Sequence, residues 1–119
     1  VRLATYCGYP DAERDNRIME MNFGDWEMKN FDEISDPRLK EWYADYINVP
    51  ATNGESFAIQ YQRVASFLDE LKEKNYEKVA IFAHGGVLIC AQLYAGAIKQ
   101  EEAFSALTPY GGIIQLRLD

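Results

Sequence analysis

The chain has 119 residues, 48% of them hydrophobic and 26% charged, which suits one globular domain with one small core and not a disordered chain. Its 12 Lys and Arg against 19 Asp and Glu leave a formal net charge of -7, which excludes non-specific binding to nucleic acid or to an anionic membrane, since both need a basic face. Two cysteines far apart, Cys7 and Cys90, and the single histidine His84 offer neither a disulfide scaffold nor a zinc site, and with no signal-peptide pattern and no apolar run long enough to span a bilayer, the expectation is a cytoplasmic protein with two free thiols.

Residues 1–7 read as the end of a helix, with Gly8 as its stop and Pro10 just beyond. No capping residue precedes Val1, so the sequence is expected to start inside an element. Residues 11–17 are polar. Residues 18–27 mix large apolar side chains with acids and keep neither a helical nor a strand period, which predicts an irregular, partly buried loop. Ser35-Asp36-Pro37 is a helix start, followed by Leu39, Trp42, Tyr43 and Tyr46 at helical spacing. After the loop 49–54, Glu55-Ser56 opens the clearest helix, with Phe57, Tyr61, Val64, Leu68 and Leu71 on one face. Ser56 is a candidate cap and Glu55 an acid near the positive end.

Residues 78–83 form a short apolar run, expected as a strand covered on both faces. His84-Gly85-Gly86 follows, then a buried helix ending at Gly96. Residues 101–107 are expected as a short helix, Pro109-Tyr110-Gly111-Gly112 as a turn, and residues 113–118 as a closing strand with Ile114, Leu116 and Leu118 alternating against Gln115 and Arg117. The order helix, strand, helix, strand argues for an α/β layered fold.

The informative unit is strand, His-Gly-Gly, helix. Ligands of open α/β sheets bind at the carboxyl ends of strands, and His84 stands at such an end. The following helix aims free N–H groups and its positive dipole end at the same spot, which makes an anion site. The plain alternative is a hydrogen-bonded histidine before a glycine turn, and His-Gly-Gly alone does not decide between them. Glu20, between Met19 and Met21, is the second candidate, because apolar neighbours favour the neutral form that a general acid needs. Its plain alternative is a solvated loop acid. Trp26 reads as a core anchor for the loop and Glu27 as a surface or bracing acid.

Three segments in order carry a resemblance. Glu20-Met21-Asn22-Phe23-Gly24-Asp25-Trp26-Glu27, then Gly54-Glu55-Ser56-Phe57 with Arg63-Val64 and Phe67-Leu68, then residues 79–87 around His84-Gly85-Gly86 together resemble the histidine phosphatase superfamily, which includes phosphoglycerate mutases. The spacing of Trp42, Asp45, Pro50 and Gly54, with Pro109-Tyr110-Gly111, looks most like its α-ribazole phosphatase branch, which dephosphorylates α-ribazole 5′-phosphate in cobalamin biosynthesis. The resemblance implies a phosphoglycerate mutase-like α/β fold: helix–sheet–helix layers around a mostly parallel open sheet. It implies phosphoryl transfer to a histidine and then to water, with no metal or other cofactor and a small phosphorylated metabolite as partner. By this resemblance His84 is the supporting histidine, Glu20 the acid that protonates the leaving alcohol, and Gly85 the donor of a backbone N–H to the phosphate.

Two departures matter. The R-H-G motif that carries the family's nucleophilic histidine is absent, and Val1-Arg2-Leu3-Ala4 matches only the last part of a segment whose phosphate-binding arginine would lie upstream. Residues 1–119 are therefore expected to be the C-terminal portion of a single domain lacking its first strand and helix. The alternatives are a non-catalytic, self-associating module, with exposed sheet edges driving a homodimer, and a mutase-type phosphotransferase. The last ranks lower because Met21 and Gly86 stand where that branch carries polar or basic residues.

Overall fold

In the computed structural model, residues 2–103, 107–108 and 111–118 are described. Four α-helices follow in chain order: α1 (Arg2–Tyr6), α2 (Arg38–Ala44), α3 (Phe57–Glu73) and α4 (Gly85–Tyr94). Short 3-10 turns at Asn16–Ile18, Gly24–Trp26, Phe31–Glu33 and Gln100–Glu102 stiffen the connections. No helix is long and apolar enough to cross a membrane, among the described residues.

The longest helix starts where its sequence says it should. Ser56 is extended and its hydroxyl accepts from the Ile59 N–H at 3.2 Å, satisfying one of the orphan donors of the first turn. Phe57, Val64 and Leu68 of α3 are buried against Val87, Ile89 and Cys90 of α4, with Met21 and Ala103 closing the same core. Burying each large aliphatic side chain contributes about 1.5–3 kcal/mol. The expected stripe needs one correction: Tyr61 and Leu71 are only half-buried, and Gln60 takes the buried place one turn before Val64. Both cysteines are free, and burial pushes the Cys90 thiol up to about 12.

A second core gathers Trp26, Trp42 and Ala51, the two indoles meeting edge to face at 6.0 Å. Trp26 anchors its loop as its sequence setting suggests, and its indole N–H donates to Asp36 at 3.1 Å. Asp36 also accepts from the Thr52 hydroxyl at 2.5 Å and from the Arg38 N–H at 2.9 Å. The Thr52 hydroxyl, then the Arg38 amide, hold its carboxyl below the usual range. The cap of α2 is therefore supplied by Asp36 and not by Pro37, which has no side-chain acceptor.

The strand expectations fare differently. Neither 78–83 nor 113–118 is a strand, and no strand occurs among the described residues. A strand exists only through a hydrogen-bonded neighbour, and no described segment pairs with either. Val79 is 48% exposed, so the run is not covered on both faces. In 113–118 the alternation survives in burial alone: Ile114, Leu116 and Leu118 are half-buried and the residues between them exposed. Of the helix expected over 101–107, the 3-10 turn Gln100–Glu102 is present, and residues 104–106 lie outside the described residues, as do Pro109 and Tyr110 of the expected turn.

The loop that carries Glu20 is held against the loop before α3 by backbone contact. Gly24 has φ +55 and a Cβ there would strike the Thr52 carbonyl; a Cβ on Gly54 would strike the Asn22 carbonyl. Only two glycines allow this approach. Gly54→Ala should therefore lower stability by about 2 kcal/mol or more. Gly96→Ala, at φ +73 with open space around its Cβ position, should cost only about 1 kcal/mol. Urea midpoints of the two variants test the ranking.

Candidate active site at the start of α4

His84 caps α4 with extended backbone (φ -128, ψ 165), and its carbonyl accepts from the Leu88 N–H at 3.0 Å. Its side chain is exposed and makes no capping bond. The next two residues give the helix a start without side chains. A Cβ on Gly85 would lie 2.7 Å from Leu107 Cδ1, and one on Gly86 would strike Glu20 Oε1.

Glu20 reaches this point from the irregular loop. Its Oε2 accepts from the Gly86 N–H at 3.2 Å, two residues past His84. Its Oε1 accepts from its neighbour Met21 N–H at 2.9 Å and from Gln60 Nε2 of α3 at 3.1 Å. A carboxylate at a helix N-terminus is favoured by the helix dipole and by the unpaired N–H groups there. The structure thus brings Glu20 to the His84-Gly85-Gly86 turn, from 66 positions away in the chain. Gly86 is bare because Glu20 occupies the space beside it.

Arg63 fixes the loop in that place. Its Nη1 donates to the carbonyls of Arg17 at 2.8 Å and Met19 at 2.7 Å. Its Nη2 donates to the Glu20 carbonyl at 3.1 Å and to Glu55 Oε1 at 2.9 Å, and its Nε to Glu55 Oε2 at 2.9 Å. All five guanidinium N–H groups are used. Glu55 Oε1 also accepts from the Asn22 N–H at 2.8 Å, while the Glu55 N–H donates back to the Asn22 carbonyl at 2.7 Å. Arg63 holds the Glu55 carboxyl below its usual range, and Glu55 raises the Arg63 guanidinium in turn. Glu55 is therefore more than the first-turn acid its sequence position suggested.

The remaining acids brace. Glu27 is exposed and accepts from the Phe23 N–H at 2.8 Å, closing the turn around Gly24. Arg17 binds Asp15, Glu70 and Ser66, tying the start of the loop to the outer face of α3. Arg2 lies in α1, outside this cluster.

Sequence reasoning named Glu20, His84 and Gly85, which the structure brings together, but gave no role to Gln60 or Arg63. Gln60 had a signal: a polar amide one turn before Val64 on an apolar face needs a buried partner. Arg63 had little, because three of its five partners are backbone carbonyls.

The sequence profile of the histidine phosphatase superfamily (branch 1) matches residues 2–119. The chain is 36% identical over 75 residues to the adenosylcobalamin/alpha-ribazole phosphatase of Escherichia coli, covering 60% of this chain and 37% of that protein. It is 28% identical over 108 residues to a Hydrogenobacter thermophilus protein provisionally named phosphoserine phosphatase 2, covering 88% and 53%. The crystal structure of the alpha-ribazole phosphatase from Shigella flexneri superposes with a TM-score of 0.73 at 27% identity, covering 90% of this chain and 55% of that one, and the two share one fold. The chain spans about half, or less, of the length of each of these proteins.

The Arg63–Glu55 pair sets a pH dependence. The folded-state carboxyl of Glu55 lies below its unfolded value, so the stabilisation is complete above about pH 5 and is lost as pH falls through the lower folded value. Arg63 stays charged throughout. Denaturation midpoints should fall on acidification below about pH 4.5, and Glu55→Gln should flatten that slope. Arg63→Met, which strands three carbonyls and a carboxylate, should cost about 3 kcal/mol at pH 7. Urea titrations at several pH values check both.

Proposed function

Because this chain belongs to the histidine phosphatase superfamily (branch 1), we propose that its protein is a phosphatase that hydrolyses phosphomonoesters through a phosphohistidine, without metal, with α-ribazole 5′-phosphate of cobalamin biosynthesis as substrate. The observation that carries the proposal is the Glu20 carboxylate on the Gly86 N–H at the start of α4. Phosphoryl transfer spreads charge over three equatorial oxygens, and it is accelerated by donors already aimed at that charge. A helix N-terminus with His84 before it and Gly85 in its first turn supplies such donors. Glu20 at the same spot can hand its proton to the leaving alcohol and later take one from water. A phosphate dianion and a carboxylate at one helix end repel each other, and a proton between them relieves the repulsion.

In this reading His84 is the supporting histidine, donating to or carrying charge against the phosphoryl oxygens. Gly85 lends its backbone N–H. Since His84 is the single histidine of these 119 residues, the nucleophile is assigned to no residue here. In the full-length protein the same reading has residues 78–83 and 113–118, which pair with no described segment here, join a mostly parallel open sheet of the mutase-like type. Names of relatives from Escherichia coli and Shigella flexneri support α-ribazole phosphate; the Hydrogenobacter name supports phosphoserine as a second candidate.

The full-length protein should be assayed against both esters and a panel of alkyl and aryl phosphates. His84→Ala should lower kcat by roughly 100- to 1000-fold on every substrate. Glu20→Gln should lower it by about 100-fold or more on alkyl esters and far less on p-nitrophenyl phosphate, whose leaving group departs without a proton. Full activity of His84→Ala would remove the site assignment.

A further inference from the structure

Gln60 is fully buried on α3, yet only half of its amide is used. Nε2 donates to Glu20 Oε1 at 3.1 Å, while Oε1 has no hydrogen-bond partner among the described residues. A buried acceptor left without a partner costs about 1–3 kcal/mol, so a native structure that keeps one calls for a reason. The orphan oxygen is not remote from the site. A Cβ placed on Gly86 would lie 3.0 Å from Gln60 Nε2, 3.1 Å from Gln60 Oε1 and against Glu20 Oε1. Both ends of the amide and the carboxyl of Glu20 therefore crowd one small space, kept open by a glycine.

The chemistry of a proton-exchanging carboxyl supplies the reason. An ionised carboxylate only accepts hydrogen bonds, whereas a carboxylic acid must also place an O–H. A side chain that can only donate suits the first state and leaves the second without an acceptor. An amide can do both, because its oxygen and nitrogen ends have nearly the same shape. Turning it over is a rotation of the last side-chain torsion, which is broad, and moves no neighbour out of its packing.

We infer that Gln60 is the positioning residue for Glu20, its amide turning over as Glu20 gains or loses a proton: Nε2 donates to the carboxylate, and Oε1 accepts from the carboxylic acid. This deepens the proposed function and rests on its reading of Glu20 as the acid. In either orientation one end of the amide is bonded and one is not, so neither protonation state is penalised relative to the other. Glu20 is thereby held at the same point beside Gly86 as acid and as base.

The charged and titratable groups around Glu20 are Arg63 of α3, which donates to its carbonyl, Glu55 paired with Arg63, Cys90 in α4, and His84, two residues before the Gly86 N–H that Glu20 binds. Arg63 stays charged, burial keeps the Cys90 thiol protonated, and Arg63 keeps Glu55 ionised. Substitution separates Glu20 from His84 in the test below.

The test uses the full-length protein with two readouts. The first is an NMR titration of the Glu20 side-chain carboxyl carbon and the Gln60 side-chain amide. The two should share one midpoint, with one Nε2 proton moving upfield as the carboxyl gains its proton and that donor leaves its acceptor. In Glu20→Gln the Gln60 amide should be flat with pH. An amide that stays constant while Glu20 titrates, or that titrates unchanged in Glu20→Gln, overturns the inference without any need for a Gln60 variant to fold. The second readout is Gln60→Met, which keeps the shape and removes both ends of the amide. It should lower kcat roughly 10- to 100-fold on an alkyl phosphate and leave p-nitrophenyl phosphate within about threefold, the same pattern as Glu20→Gln but smaller. If Glu20→Gln shows the leaving-group pattern and Gln60→Met does not, the inference fails alone. If Glu20→Gln lacks the pattern, the acid reading of Glu20 has failed, and the inference falls with it.

Discussion

Everything at the candidate site depends on the guanidinium of Arg63. Its fork is planar and rigid, so five hydrogen bonds from it fix position and orientation together. Three of them end on the carbonyls of Arg17, Met19 and Glu20, and two on Glu55. These carbonyls belong to a segment with no regular structure beyond one 3-10 turn, which has no ladder of its own to satisfy them. Arg63 supplies the missing donors. It does so from the middle of α3, whose opposite contacts run to α4. The distance between Glu20 and the start of α4 is thus set by one helix that touches both.

The second fixed point is backbone against backbone. Gly24 and Gly54 let two loops approach as no other residue would, and the Asp25 N–H reaches the Thr52 carbonyl at 2.9 Å. Phe23 belongs to both cores, packing with Trp42 at 6.5 Å on one side and against the α3–α4 core on the other. The segment from Glu20 to Glu27 is consequently held at its start by Arg63, at its middle by Phe23 and the glycine contact, and at its end by Trp26. An irregular loop is stiffened when its polar groups are tied to fixed partners, and stiffness is what the proposed general acid would need.

How far the sequence disclosed this follows from how local each feature is. The α3 helix, its Ser56 cap, the Gly96 stop after α4 and the irregular character of 18–27 are local, and period and cap chemistry were enough. Trp26 as an anchor was legible because a large aromatic in a polar loop has few other uses. Strands at 78–83 and 113–118 were not settled by their apolar patterns, because pairing is a property of two segments and the pattern is written in one. The Glu55–Arg63 pair was hidden for a related reason. Glu55 sits just before the helix and Arg63 two turns into it, so the ion pair looks like an ordinary first-turn acid and a surface base. Gln60 was passed over because the eye completes an apolar stripe with Tyr61 next door, and only burial decides between them.

Arg63 and Gln60 hold the same glutamate by opposite means. The guanidinium grips the Glu20 backbone carbonyl and has one arrangement that satisfies all its donors. The amide grips the Glu20 carboxyl and has two arrangements of equal shape. An acid that exchanges a proton without moving, as proposed for Glu20, needs both kinds of support. Its main chain has to be indifferent to its charge, and its head group has to meet a partner that answers to either charge. Had Arg63 been placed on the carboxyl itself, a permanent positive charge there would favour the carboxylate and hold back the proton. Its placement on the carbonyl, with its charge answered by Glu55, keeps the positional benefit of a cation while directing its hydrogen bonds away from the Glu20 carboxyl.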